Sequence, residues 1–114
     1  MWVIYKGMQE TLPPSLEKVK AAVHSACLNR PVRRVEVFGS LAQGNTRPGS
    51  DVDLLVEFIP GNAVGLFEMG ALKEEIEEEL GCPVDLVSRK AIEKSTNPYR
   101  REAILANPLT LYVR

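Results

Sequence analysis

In the stretch "SDVDLLVEF", Asp51 and Asp53 stand two apart at the head of an apolar run, and in "PVDLVS" Asp85 interrupts a second one. Side chains alternate between the faces of a strand. Val52, Leu54, Val56 and Phe58 therefore form one apolar face, and Asp51 and Asp53 project from the other. Val84 and Leu86 repeat the apolar set, with Asp85 and Val87 on the far side. Where two such strands lie close, three carboxylates converge. Two like charges about 4 Å apart repel by roughly 4 kcal/mol at a surface-like dielectric, a large share of a small domain's stability. A hard divalent cation relieves that repulsion. An all-oxygen set with open positions suits Mg2+, and two such ions can clamp the attacking and leaving oxygens of a phosphoryl transfer. The bland alternative, splayed aspartates or a loop-ending Asp51, suffices for Asp51 alone and is weaker for Asp51, Asp53 and Asp85 together.

The loop before the first pair adds a phosphate-binding signal. Gly39 and Ser40 follow a strand and open a helical turn, where glycine lets backbone approach a ligand and free N–H groups attract anions. Taken alone, Gly39–Ser40 is an ordinary strand-to-helix turn. It is not a P-loop, since no Gly-Lys-Ser/Thr follows at that spacing, and it is not a dinucleotide fingerprint. The register between the two halves, Gly-Ser, ten residues, then Asp-x-Asp, changes the weight. Its chance occurrence in a chain this long is on the order of 10⁻³ at ordinary residue usage.

These residues need elements to hold them. "LPPSLEKVKAAVHSACLNR" reads as a helix capped by Ser15, with Leu16, Val19, Val23, Ala26 and Cys27 at helical spacing. Val32 to Phe38 reads as a strand, and Gly39 to Ala42 as one helical turn. A loop marked by Gly44, Pro48 and Gly49 leads to the strand "DVDLLVEFI", which Pro60-Gly61 closes. Leu66, Met69, Leu72, Ile76 and Leu80 mark one face of a helix ending at Gly81. The opposite face (Glu74, Glu75, Glu77, Glu78, Glu79) reads as a solvated one. "PVDLVS" is a third strand, "NPYRREAILAN" a last helix started by Asn97-Pro98, and "LTLYV" a short edge strand. The order predicts an α/β (α+β) domain with a small mixed β-sheet flanked by helices.

The chain has 114 residues, 45% hydrophobic and 25% charged, with a net charge of −1. That fits a single domain over 1–114, with 1–12 as an N-terminal extension of unassigned role. No global basic excess points to a nucleic-acid backbone, and no aromatic platform to single strands. The basic residues Arg89, Lys90, Lys94, Arg100, Arg101 and Arg114 are expected to form a solvated face. Cys27 and Cys82 lack paired-ligand spacing and His24 is near neither, so a zinc site is not expected and idle thiols in a reducing cytosol are. "MWVIYKGM" is too short for a signal peptide and no window matches a membrane span, so a cytoplasmic protein is expected.

"FGSLAQGNTRPGSDVDLLV" resembles the signature of the nucleotidyltransferase superfamily related to DNA polymerase beta. The short length resembles its minimal members (MNT), the antitoxin halves of MNT/HEPN toxin–antitoxin pairs. The likeness runs through "ELGCPVDLV" to "EAILANPLTLYV". It implies the polymerase beta-like fold, with Gly39 and Ser40 on the nucleotide's phosphates. It further implies Asp51 and Asp53 as Mg2+ ligands, and Asp85 as a further ligand or the general base. Ser50 could hydrogen-bond beside Asp51. Gln43 stands where relatives often carry arginine, and Arg47 is the candidate to supply that charge to the triphosphate. The implied reaction is transfer of AMP from ATP to a hydroxyl. With little chain left to hold an acceptor, a partner would supply it: in the resembling families, a tyrosine of a HEPN ribonuclease toxin. Two other readings stay open: an antitoxin that neutralises by binding alone, and a catalytic subunit acting on a small molecule.

Overall fold

The computed structural model of the chain describes residues 13–61 and 65–114, so the expected extension over 1–12 lies outside the described residues. The first helix, α1 (Leu16–Cys27), starts at Ser15, whose hydroxyl accepts from the Lys18 N–H at 3.2 Å. Strand β1 (Val32–Phe38) runs directly into the five-residue helix α2 (Gly39–Gln43). Strand β2 (Val52–Phe58) follows the loop, then helix α3 (Leu66–Leu80), ended by Gly81 in the left-handed conformation. After it come β3 (Val84–Ser88), the short helix α4 (Arg89–Glu93), α5 (Pro98–Leu105) and β4 (Leu109–Val113). Asn97 caps α5 by accepting from Tyr99 and Arg100 N–H groups, with Pro98 at the first position, as its sequence predicts.

The sheet order is β3-β2-β1-β4, with β1 antiparallel to both β2 and β4 and β2 parallel to β3. This is the small mixed sheet expected, and "LTLYV" is an edge strand. α1 and α3 cover one face. There Val19, Val23 and Cys27 meet Val35, Val37, Leu54 and Val56, with Leu72 and Ile76 behind them. Burial pushes the Cys27 thiol up to about 11, so it packs as a small apolar side chain. His24, set aside as a zinc ligand, ties α1 to β4: its Nε2 lies 3.0 Å from the Leu111 carbonyl and its ring stands edge-on to Tyr112.

Three details depart from the sequence reading. Val32, three residues before Val35, joins the same core because a bulge between Val32 and Arg34 absorbs the extra residue. The helix α4 is not anticipated, since five residues are too few to show a helical period. Most consequentially, the face opposite the main core is not open. α4 and α5 lie over it, and Phe38, Leu55, Ile92 and Ile104 form a second, smaller core there, with Val87 and Leu105 against it.

The charged runs also do more than face solvent. Arg30 bridges α1 to α3 through Glu68 at 3.2 Å and Glu75 at 2.8 Å, and Glu77 accepts from the Val84 N–H at 2.9 Å. Lys90, Lys94 and Arg100 are exposed as expected. Arg114 is exposed too, while donating to the Arg30 and Leu28 carbonyls, and the half-buried Arg101 donates to that of Ser95. Arg89 is taken up by a buried partner described below. Among the described residues no helix is long and apolar enough to cross a membrane.

Candidate active site

β2 and β3 run parallel, and the Val52 N–H donates to the Pro83 carbonyl at 3.3 Å where the two strands begin. That register puts Asp53 directly beside Asp85, on strands separated by about 4.8 Å. Asp51 precedes the strand by one residue. Asp51 and Asp85 are exposed and Asp53 is partly buried. Burial raises the Asp53 carboxyl above the ordinary aspartate value, and the Asp85 and Asp51 charges raise it further. The three aspartates therefore form one electrostatic unit.

On its other side Asp53 pairs with Phe38, the last residue of β1, and the next residue is Gly39. Gly39 has φ +73, and a Cβ on it would lie 2.3 Å from Asp53 Oδ2. Only a hydrogen fits there. Glycine at this position thus serves two needs: a left-handed backbone that turns β1 into α2, and room for the carboxylate behind it. No side chain caps the start of α2, and Ser40 sits half-buried in its first turn. Gly39, Ser40, Asp53 and Asp85 thus lie across three neighbouring elements, on one edge of the domain.

Arg47 and Ser50 are placed differently. Ser50 Oγ accepts from the Arg47 N–H at 3.0 Å and the Arg47 carbonyl accepts from the Ser50 N–H at 2.9 Å, closing a tight turn. The Ser50 hydroxyl oxygen thus accepts within the loop, a bond that does not use its own O–H. The Arg47 side chain is exposed.

The donor set fits a magnesium ion in its chemistry: carboxylate oxygens only, crowded enough that Asp53 resists ionising. Its geometry is looser than expected. Among the described residues no three His, Cys, Asp or Glu side chains are gathered into a ready-made ligand cluster. Asp51 and Asp85 face solvent, which lets the negative groups separate. Asp53 and Asp85 stand side by side in register, and Asp51 lies one residue before the same strand.

Of two charged residues near this face, sequence reasoning missed Glu36 and expected Arg89 on a solvated face. Glu36, in β1, is the buried charged residue among those described, and it pairs with Arg89, the first residue of α4. The available signal was the run "VEVF", where a strand buried on both faces would have to bury its glutamate too.

Residues 16–107 match the family model of the nucleotidyltransferase domain. A Methanocaldococcus jannaschii protein named "putative protein adenylyltransferase" is 33% identical over 91 residues, covering 80% of this chain and 91% of that one. A solved structure of a "putative minimal nucleotidyltransferase" is 37% identical, with a TM-score of 0.64 over 84% of this chain and 95% of its own. A crystal structure of a toxin–antitoxin with AMP-PNP shares the fold at a TM-score of 0.65 and 18% identity, over 83% of this chain and 73% of that one.

Proposed function

This chain belongs to the nucleotidyltransferase domain family, among its minimal members, and from that premise we propose that it transfers AMP from ATP to a hydroxyl of a partner toxin and so acts as an antitoxin. The observation that carries this reading is the pairing of Asp53 with Asp85 in adjacent parallel strands, with Gly39 backed against the Asp53 carboxylate. A glycine-serine turn and a carboxylate pair on one edge bring an anion-binding backbone and a cation-binding side-chain set together.

In this reading Asp51 and Asp53 hold Mg2+, with Asp85 as a third ligand or as the base. Bound Mg2+ supplies charge neutralisation for the triphosphate and the leaving pyrophosphate. Gly39 and Ser40 present N–H groups and a hydroxyl to the phosphates, and Arg47, on its exposed loop, adds positive charge where Gln43 brings none. The acceptor oxygen attacks the α-phosphorus, the bond from that phosphorus to the bridging oxygen breaks, and pyrophosphate departs. As the base, Asp85, which is exposed, would take the acceptor's proton. Most of the rate would come from alignment and charge placement.

The acceptor is proposed to be a tyrosine of a HEPN ribonuclease toxin. The likeness of the fold to a toxin–antitoxin solved with an ATP analogue supports a toxin as the partner, and the tyrosine is what the resemblance implies. The test mixes the protein with labelled ATP, Mg2+ and the product of the neighbouring gene. Label is expected on the partner, and Asp53→Asn should lower its transfer by about 10²-fold or more. No transfer by the wild-type protein would sink the reading. Toxin neutralisation that survives Asp53→Asn would instead favour an antitoxin acting by binding alone.

A further inference from the structure

Glu36 lies in the middle of β1, opposite Leu55 of β2 and Thr110 of β4, on the sheet face that also carries Asp53. Its side chain is 7% exposed and pairs with the Arg89 guanidinium, 24% exposed, which also reaches Glu93 at 3.3 Å. β1 and β3 are not neighbours. β2 runs between them, so Arg89, at the end of β3, reaches across β2 to clasp Glu36. On the same helix, Ile92 enters the small core with Phe38 and Leu55.

The two ends of this clasp sit close in sequence to the two halves of the site. Glu36 is three residues before Gly39 and four before Ser40; Arg89 is four residues after Asp85. A buried ion pair is a poor way to gain stability, because desolvation consumes most of the attraction and an apolar pair of similar size often does as well. It can instead hold two segments in place, because pulling either partner away leaves a charge buried and unpaired. We propose that Glu36 and Arg89 are positioning residues. By strapping β1 to the β3–α4 junction across β2, they fix the Gly39–Ser40 turn relative to Asp85 without touching substrate. This rests on the nucleotidyl-transfer reading of the same site.

The test replaces both partners with apolar residues, Glu36→Leu with Arg89→Met, so that no buried charge is left unpaired and the variant folds. Arg89→Gln alone serves as a second variant, used below its own melting temperature. A structural role predicts that the double variant, once folded, behaves as wild type. The strap predicts a drop of about tenfold or more in kcat, a KM for ATP within about threefold of wild type, and no fall in melting temperature. It also predicts amide exchange at Gly44 and Asn45, which close α2, at least about tenfold faster, with α1 amides unchanged. Restoring Glu36 and Arg89 in exchanged positions (Glu36→Arg with Arg89→Glu) should recover part of the kcat. Unchanged exchange at α2 overturns the strap, whatever the activity. An unchanged kcat with faster exchange overturns it too. A wild-type protein that transfers no nucleotide overturns the transfer reading instead, and the exchange result still decides the strap.

Discussion

Asp53 is partly buried, has the Asp85 charge beside it in register and the Asp51 charge two residues before it, and each factor lifts its carboxyl above the ordinary aspartate value. A carboxyl raised in the fold weakens the fold when ionised. That penalty is complete above the folded value and gone below the ordinary one. Without divalent cation, Asp53→Asn should therefore melt higher than wild type at neutral pH, and the gap should close as pH falls toward the usual aspartate range. Thermal melts across pH check this, and a variant no more stable than wild type at neutral pH contradicts the crowding of charge described for this edge. Gly39 makes the complementary case. Gly39→Ala adds a methyl into the Asp53 Oδ2 position and strains a positive φ, with about 1–2 kcal/mol expected from the backbone alone. The displaced carboxylate should cost about 10²-fold in kcat/KM. A folded alanine variant of normal activity would show that the turn is not held against Asp53.

The elements are joined by a few polar contacts placed where strands and helices change hands. Glu77, near the end of α3, accepts from the Val84 N–H that opens β3 and from Lys73 one turn earlier. The Val84 bond, with Lys73 second, holds its carboxyl below the ordinary glutamate value. A depressed carboxyl contributes its stability fully above the unfolded value, and loses it as pH falls through the folded one. Glu77→Gln should thus be less stable by roughly 0.5 kcal/mol at neutral pH, solvent-screened as it is, and match wild type in strong acid. Denaturant titrations at neutral and acid pH read the difference. An equal deficit at both would mean that shape, not charge, holds the joint. Because this joint starts β3, it lies upstream of the register that carries Asp85 to Asp53.

Across the whole molecule the two cores are unequal. The larger one unites α1, α2, α3 and the four strands described, whereas the smaller one, Phe38, Leu55, Ile92 and Ile104 with Val87 and Leu105 against it, anchors α4 and α5 on the site face beside the Glu36–Arg89 pair. Native-state hydrogen exchange should accordingly show α4 and α5 opening at least about tenfold more readily than β1, β2 and α1. Uniform protection across the helices would refute two cores of different strength. The element list was legible because long segments carry their own period and end in cap residues such as Ser15, Gly81 and Asn97. The Gly39–Ser40 turn and the Asp51, Asp53 pair were legible because their spacing is local. α4 was too short to announce itself, and the engagement of Ser50 with Arg47 depended on a loop conformation that residue types leave open.

From sequence alone come the strands and the faces of Asp53 and Asp85, since alternation and spacing are properties of a single segment; the family came from the likeness of the segment around Gly39 and Asp51 to a known signature. Tertiary structure alone decided that β2 and β3 lie parallel with Asp53 against Asp85, that a second core closes over their face, and that Glu36 is buried with Arg89. Those facts join segments tens of residues apart. Their outcome is set by which strands pair and which helices cover them, where buried apolar area and the need to satisfy buried charge are weighed over the whole chain.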